Sequence, residues 1–472
     1  MGDARRLGWA LAMVIAGLVT IPAAASATVY CVGEPACVSA GGVEEGAGAA
    51  ALQSALSGAG KAGTGSQKVM IGAGTYSLAG GFYYSGEGAL AMVGAGSAVT
   101  VLSAPAATAT VLDLGASSAS MVGVSVEVPA GSGSVGVGMS RGTLSCATVT
   151  AAPGAQAPTG VRVGAGATVE DTLVDLRGAT AGTALGVVAS AAGEAATLRQ
   201  LSLLNGGAGS AGLKVTGTGA TAGALLADSL ISGVQWPIVQ VAVKAGGATA
   251  VRTSYSLYEA GHNAAEVQEG GSPPPAPVDE ARVAGAATFA LPMSGEELSA
   301  PADWHPRFDS AAIDAGTPGP LAAGESTVDL EGYPRVVNGR RDVGAYAYQR
   351  RAPVVSASAS ATRVFLGQRV IFNGTVSEPE PGGAVASLRW SFDGHATLVT
   401  GAKVVHAFTR TGVHTATLTA TDALGITASA TLRISVLRSP PRRQPAPTLS
   451  ALRLAPRRFR VARTLRDVVG TR

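Results

Sequence analysis

Between residues 160 and 259, short runs of aliphatic residues recur at a nearly constant interval. Gly160-Val161-Arg162-Val163 returns as Gly186-Val187-Val188-Ala189 and again as Gly212-Leu213-Lys214-Val215, a spacing of 26 residues, and Val239-Gln240-Val241-Ala242-Val243 follows about one period later. Each run is β-prone and bounded by Gly, Ala, Ser and Thr, and none is long enough to bury its apolar side alone. Such a period predicts a solenoid in which every coil packs on its neighbours. A second apolar run follows in each coil, at residues 169–176, 198–204, 224–231 and 251–257. Parallel strands stack ~4.8 Å apart, so about seven coils between residues 80 and 259 would make a rod roughly 35 Å tall. The expected inward positions are Val161, Val163, Leu173, Val187, Leu201, Leu203, Leu213, Val215, Leu230 and Val241.

The pattern changes at both ends of this array. Residues 46–61 are rich in Ala and Leu at helical spacing (Ala49, Leu52, Ala55, Leu56), which predicts a short capping helix over the first coil. Lys68-Val69-Met70-Ile71-Gly72-Ala73-Gly74-Thr75-Tyr76 then opens the strands. From His262 to Ala302 the repeat is lost, and Pro273-Pro274-Pro275-Ala276-Pro277 is expected to lie outside any sheet interior. Residues 352–437 carry a different signal. Ile426, Ala428, Ala430, Leu432, Ile434 and Val436 alternate with polar residues, as do Ala416, Leu418 and Ala420, which predicts half-buried antiparallel strands. About seven such strands suit a β-sandwich.

Composition refines this picture. The chain has 472 residues with 65 Gly, 4% aromatic and 14% charged residues, so the core must be built from Val, Leu, Ala and Ile. The net charge of +3 conceals a tail: ten Arg and one Asp between residues 438 and 472 give +9, leaving −6 for the remainder. That Pro- and Arg-rich stretch, residues 438–472, reads as a linker with the start of another module. At the other end, Arg5 and Arg6, an apolar run over residues 7–21 and Ala25-Ser26-Ala27 have the form of a signal peptide over residues 1–27. Secretion, an oxidising compartment and no membrane span after cleavage follow as expectations. In that compartment Cys31 and Cys37 are expected to form a disulfide, and Cys146, in an apolar run, is expected to point into the core.

Several motifs carry a resemblance. The strand ending in Gly72-Ala73-Gly74-Thr75-Tyr76, after an Ala-rich helix, resembles the opening of right-handed parallel β-helix proteins of the pectate-lyase-like superfamily. Ala311-Ala312-Ile313-Asp314-Ala315-Gly316, Asp329-Leu330-Glu331-Gly332-Tyr333-Pro334-Arg335 and Arg341-Asp342-Val343-Gly344-Ala345-Tyr346 resemble the C-terminal closure of secreted bacterial β-helix proteins, with Ala347 in place of that family's Glu. Trp390-Ser391-Phe392-Asp393-Gly394, with Thr421-Asp422-Ala423-Leu424-Gly425, resembles a PKD domain, an immunoglobulin-like module, although the Gly that normally precedes the Asp is missing. The implied fold class is all-β: a right-handed parallel β-helix over residues 68–350, preceded by a strand and capping helix over residues 28–67. An immunoglobulin-like PKD sandwich over residues 351–437 follows it.

Within the resembled superfamily, lyases and hydrolases cluster acidic and basic residues on stacked coils. A glycosidase needs one carboxyl to protonate the leaving oxygen and a second to activate water or attack. The candidates here are Glu170, Asp171 and Asp175 in one coil, Arg199 in the next and Asp228 in the one after. Two coils separate Asp171 from Asp228, about 10 Å by the strand spacing, which is wide for such a pair; solvated charges on an outer face are the alternative. In the closure, Asp314, Asp329 and Asp342 either accept turn N–H groups and pair with Arg335 or hold Ca²⁺, whose hard oxygen ligands they supply. No other cofactor is expected, and no metal-ligand histidine spacing, P-loop or dinucleotide fingerprint occurs. The sequence therefore points to a secreted or cell-surface monomer with a structural or carbohydrate-binding role toward an extracellular polysaccharide or cell-wall polymer, with no nucleic-acid partner. A polysaccharide lyase or glycoside hydrolase is the alternative.

Overall fold

The computed structural model describes residues 28–105, 109–281, 283, 289–291, 303–307, 310–337, 339–348, 352–377, 384–423 and 425–438. The signal-like stretch and the basic tail lie outside them. Contacts divide the chain into two compact units, one ending at Arg351 and the other beginning at Ala352.

The first unit is a parallel β-solenoid of about eight turns. One wall is an eight-stranded parallel sheet running from Phe82–Tyr83 to Ala264–Gln268. The other walls belong to one sheet that bends within each coil, so Thr168–Asp175 and Ala196–Leu204 each contribute to two walls. The bend has a repeated backbone cause. Gly123, Cys146, Asp171, Gln200, Asp228 and Tyr255 all have φ between 44° and 65°, and the strand register stacks those from Cys146 onward coil upon coil. Only the first is the glycine that left-handed backbone favours; the others need surrounding contacts to hold them there.

Aliphatic side chains fill the solenoid interior, among them Val69, Met92, Leu112, Val161, Leu185, Leu213 and Ile238, all at 1% exposure or less. The helix Ala49–Lys61 covers the first coils with Leu52, Ala55, Leu56 and Ala59 buried. Cys31 and Cys37 are joined in a disulfide there, with Cα atoms 5.7 Å apart.

The stacked register differs from the 26-residue spacing. Arg162 pairs with Gly186 and Gly186 with Lys214, so Gly160 is stacked on Ala184 and Ala184 on Gly212. The apparent constancy arises from one shorter and one longer coil. Smallness at these positions is a packing requirement: a Cβ on Gly160 would overlap Val174 Cγ1, and one on Gly212 would overlap Ile231 Cγ2. Gly186 instead faces outward, where a Cβ would meet nothing closer than 3.7 Å.

The solenoid also continues beyond its expected end. Ala264–Gln268 pairs with Trp236–Val243, Val278–Asp279 with Ala248–Ser254, and Val283 bridges Leu257. The Pro-rich run at residues 273–277 closes this coil. Gln240, pointing inward, donates to the Pro275 carbonyl at 2.7 Å and accepts from Thr249 Oγ1 at 3.1 Å. Thr253 and Tyr258 both hydrogen-bond Asp279. Polar side chains thus replace aliphatic ones where the core ends, which is why the hydrophobic pattern faded there.

The second unit pairs a three-stranded antiparallel sheet (Val354–Ala359, Arg369–Ser377, Lys403–Ala407) with a five-stranded one that includes Val385–Phe392, Gly412–Asp422 and Thr427–Leu437. Trp390 and Phe372, ring centroids 5.4 Å apart, centre its core. Asp393 and Gly394, with φ of 54° and 70°, form a two-residue hairpin turn, a conformation that Asp-Gly suits. Asp393 accepts from Thr415 N at 2.8 Å and bonds His414 Nδ1 at 2.6 Å, so the motif closes without its missing glycine.

Candidate functional site

The candidate residues all lie along the corner of the solenoid, and what they meet there is the chain's own closing segment. Residues 310–337 and 339–348 run as a strap over the outside of this corner. The strap's Ala312, Leu330, Val343 and Ala345, with Trp304 just before it, pack on Leu173, Leu204, Leu230 and Leu257. Leu173 and Leu230 therefore face outward beneath the strap, and Val241 joins a separate outer cluster with Ala211 and Val239. These three had been expected inside. Earlier coils without the strap carry Ser125 and Thr148 in the column of Leu173.

The polar side chains dock the strap. Asp171, fully buried, forms an ion pair with the equally buried Arg335. The other Arg335 hydrogen bonds go to the Gly344 and Ala345 carbonyls at 2.7 and 2.8 Å. Asp228 accepts from Thr317 N at 2.6 Å and Thr317 Oγ1 at 2.8 Å, and its second oxygen lies 3.2 Å from Arg341 Nη1. Arg341 also reaches Glu325 at 3.0 Å and the Pro320 carbonyl at 2.8 Å. Glu170 holds Arg199 at 2.6 Å, and Arg199 donates in turn to the strap carbonyl of Gly324 at 2.9 Å. Asp175 takes a bidentate grip on Arg177, whose guanidinium lies 3.9 Å over the Trp304 ring. All five candidates are thus engaged in ion pairs, three of them in direct contact with the strap, and neither a solvated outer face nor an open cleft describes their surroundings.

Electrostatics follow from burial. Desolvation raises the Asp171 carboxyl to about 6, against the opposing pull of Arg335. Cys146, one coil below, lies at the corner beside the strap's cluster instead of in the core, and burial pushes its thiol to about 12. In the strap, Asp342 is raised to about 6, again chiefly by burial, and accepts from Asp314 N at 2.6 Å and Tyr348 N. Asp329 is also raised by burial and accepts from Glu331 N, Tyr333 N and Ala347 N at 2.9 to 3.0 Å.

These contacts bear on the calcium reading. The Asp329 and Asp342 oxygens point at N–H donors, as turn-closing carboxylates do, and among the described residues no three His, Cys, Asp or Glu side chains converge as a metal site. The donor set does not fit Ca²⁺, which takes six to eight oxygens. The direct ion-pair partner of Arg335 is Asp171 on the solenoid, not a carboxylate of its own segment. Gln200, Glu325 and Arg341 complete the cluster and were missed. Arg341 stood in the closure motif, but nothing in sequence links it to Asp228.

A family-model match agrees with the architecture of the second unit. Residues 350–436 match the family model of the PKD domain. The PKD1 domain of Vibrio anguillarum Epp is 23% identical over 19% of this chain and 100% of that one, with a TM-score of 0.17. The PKD1 domain of the Vibrio cholerae metalloprotease PrtV is 27% identical over 18% and 98%, with a TM-score of 0.16. The A-module of the Azotobacter vinelandii mannuronan C-5 epimerase AlgE4 is 12% identical over 50% of this chain and 96% of that one, with a TM-score of 0.20. No curated protein matches the sequence. PKD domains are typical of extracellular proteins, and among the described residues no helix is long and apolar enough to cross a membrane. The chain is a parallel β-solenoid of about eight turns followed by a PKD domain.

Proposed function

We propose that this protein is secreted or held at the cell surface, where its solenoid binds an extended extracellular polysaccharide without cleaving it. The observation that carries this reading is the engagement of every candidate acid and base. General acid–base work needs a carboxyl within reach of the glycosidic oxygen and of water. Asp171 and Asp228, the two candidates that occupy equivalent places in their coils, are buried under the strap with their charges paired. Their chemistry serves attachment of one chain segment to another.

The binding face belongs to the eight-stranded wall. Its outward columns carry Thr159 and Thr183, and beside them Arg162, Gly186 and Lys214 in register. Arg162 and Lys214 have no ion-pair partner among the described residues. They stand two coils apart, about 10 Å by the strand spacing, beside a threonine column that continues as Ala211 and Trp236 in the later coils. An extended chain carrying carboxylates or hydroxyls along its length suits such a face. The test is a screen of the purified protein against polyuronates and neutral glycans, with and without Ca²⁺, reading binding and product release together. Binding weakened severalfold by a paired R162S/K214S substitution, with no products, supports the proposal. Release of oligosaccharides overturns it.

A further inference from the structure

The strap junction contains polar atoms that no protein group satisfies. Asp171 Oδ2, both amide atoms of Gln200 and Arg335 Nε are all buried without a hydrogen-bond partner in the protein. The three residues are at 0% exposure. They are also neighbours. Register pairs Glu170 with Arg199 and Thr172 with Leu201, which stacks Gln200 directly on Asp171, about 4.8 Å away along the solenoid axis. The Arg335 Nη2 contact to Asp171 Oδ1 brings the guanidinium to the same spot from the strap side. The Ser326 hydroxyl approaches Asp171 too, but it donates to the Val328 carbonyl at 2.7 Å. Glu170 faces Arg199, and Cys146, with its thiol near Ser120, lies one coil below.

The chemistry of these atoms selects what can sit among them. Asp171 Oδ2 requires a donor, Arg335 Nε requires an acceptor, and the Gln200 amide offers one of each. A cation would satisfy the carboxylate but be opposed by the guanidinium and the amide NH₂. An anion would face the Asp171 charge. A neutral molecule that both donates and accepts, with the tetrahedral reach of a solvent molecule, meets all of them, and buried waters typically make about three such bonds.

We propose that at least one internal water is bound between the solenoid corner and the strap, accepting from Arg335 Nε and donating to Asp171 Oδ2, with the Gln200 amide as its third partner. Because two partners come from the solenoid and one from the strap, the site is complete only when the strap is docked. The water is therefore a structural component of the junction and a reporter of its closure.

A crystal structure of the full chain at high resolution tests this directly. The expected result is a density peak within about 3.2 Å of Asp171 Oδ2, Arg335 Nε and one Gln200 amide atom. Magnetic relaxation dispersion on the same protein should detect a long-lived water, and Gln200→Leu, which deletes both amide atoms, should reduce that signal by at least one molecule. A dry junction with the Gln200 amide turned to a protein partner would overturn the proposal. So would a peak at the 2.3–2.6 Å oxygen distances of a bound Ca²⁺. The wild-type crystal result stands even if Gln200→Leu fails to fold.

Discussion

Replacing Asp228 with Ala should undock the strap while leaving the solenoid interior intact. Asp228 is 2% exposed and lies at φ 48°. Its carboxylate accepts two short bonds from Thr317 and pairs with Arg341, which is itself only 3% exposed. Removing one partner of a buried pair leaves an uncompensated charge and costs about 3–5 kcal/mol. Glu325, 3.0 Å from Arg341, offsets part of this, so we expect a loss of about 3 kcal/mol. Asp228→Asn keeps an acceptor for Thr317 and a residue that tolerates left-handed backbone, so it should lose less, about 1–2 kcal/mol. Urea denaturation followed by far-UV circular dichroism gives the stability difference. Hydrogen exchange should then place the loss in residues 310–348, with protection of the inner strands such as Ala211–Thr218 preserved. If Asp228→Ala changes stability by less than about 0.5 kcal/mol, or the lost protection lies in the inner strands, the docking role is wrong.

Other expectations are equally checkable. Asp342 is raised from 3.8 to about 6 by burial, so the folded form binds a proton that the unfolded chain releases between those values. Its stabilising contribution is complete below about pH 4 and disappears as pH rises through about 6, at most about 3 kcal/mol. Asp342→Asn should flatten the stability profile between pH 4 and 7, and an unchanged slope would refute this. Gly160→Ala places a Cβ against Val174 and the Ala184 carbonyl and should cost more than about 2 kcal/mol. Gly186→Ala at the outward position should stay within about 0.5 kcal/mol; equal effects would restore the 26-residue register. In the PKD domain, Trp390→Ala should cost about 3–5 kcal/mol, read by thermal unfolding of the isolated signal from that unit.

The solenoid was legible because its signal is periodic: aliphatic runs, small turn residues and a capping helix agree with one another. The 26-residue spacing misled because coil length varies, and only strand pairing reveals that Ala184, not Gly186, occupies the place of Gly160. The strap was legible as a closing motif but not in its position. An outward Leu173 looks the same in sequence as an inward one, and its parity has meaning only once Leu330 and Val343 are known to cover it. The same holds for Asp171 and Asp228. Their identity suggested chemistry, but Arg335 and Arg341 lie more than a hundred residues away, and no local pattern joins them. The last coil was overlooked because Gln240, Thr249 and Asp279 close it with hydrogen bonds, which leave no hydrophobic periodicity.

The most direct measurement of the central claim incubates the intact protein and its Asp171→Asn variant with polyuronate, following bound polymer by sedimentation and new chain ends by absorbance and reducing-sugar assay. We expect both proteins to bind polymer equally and release nothing. Chain cleavage by the wild type that is lost in Asp171→Asn, with the strap still docked by hydrogen exchange, would contradict the account.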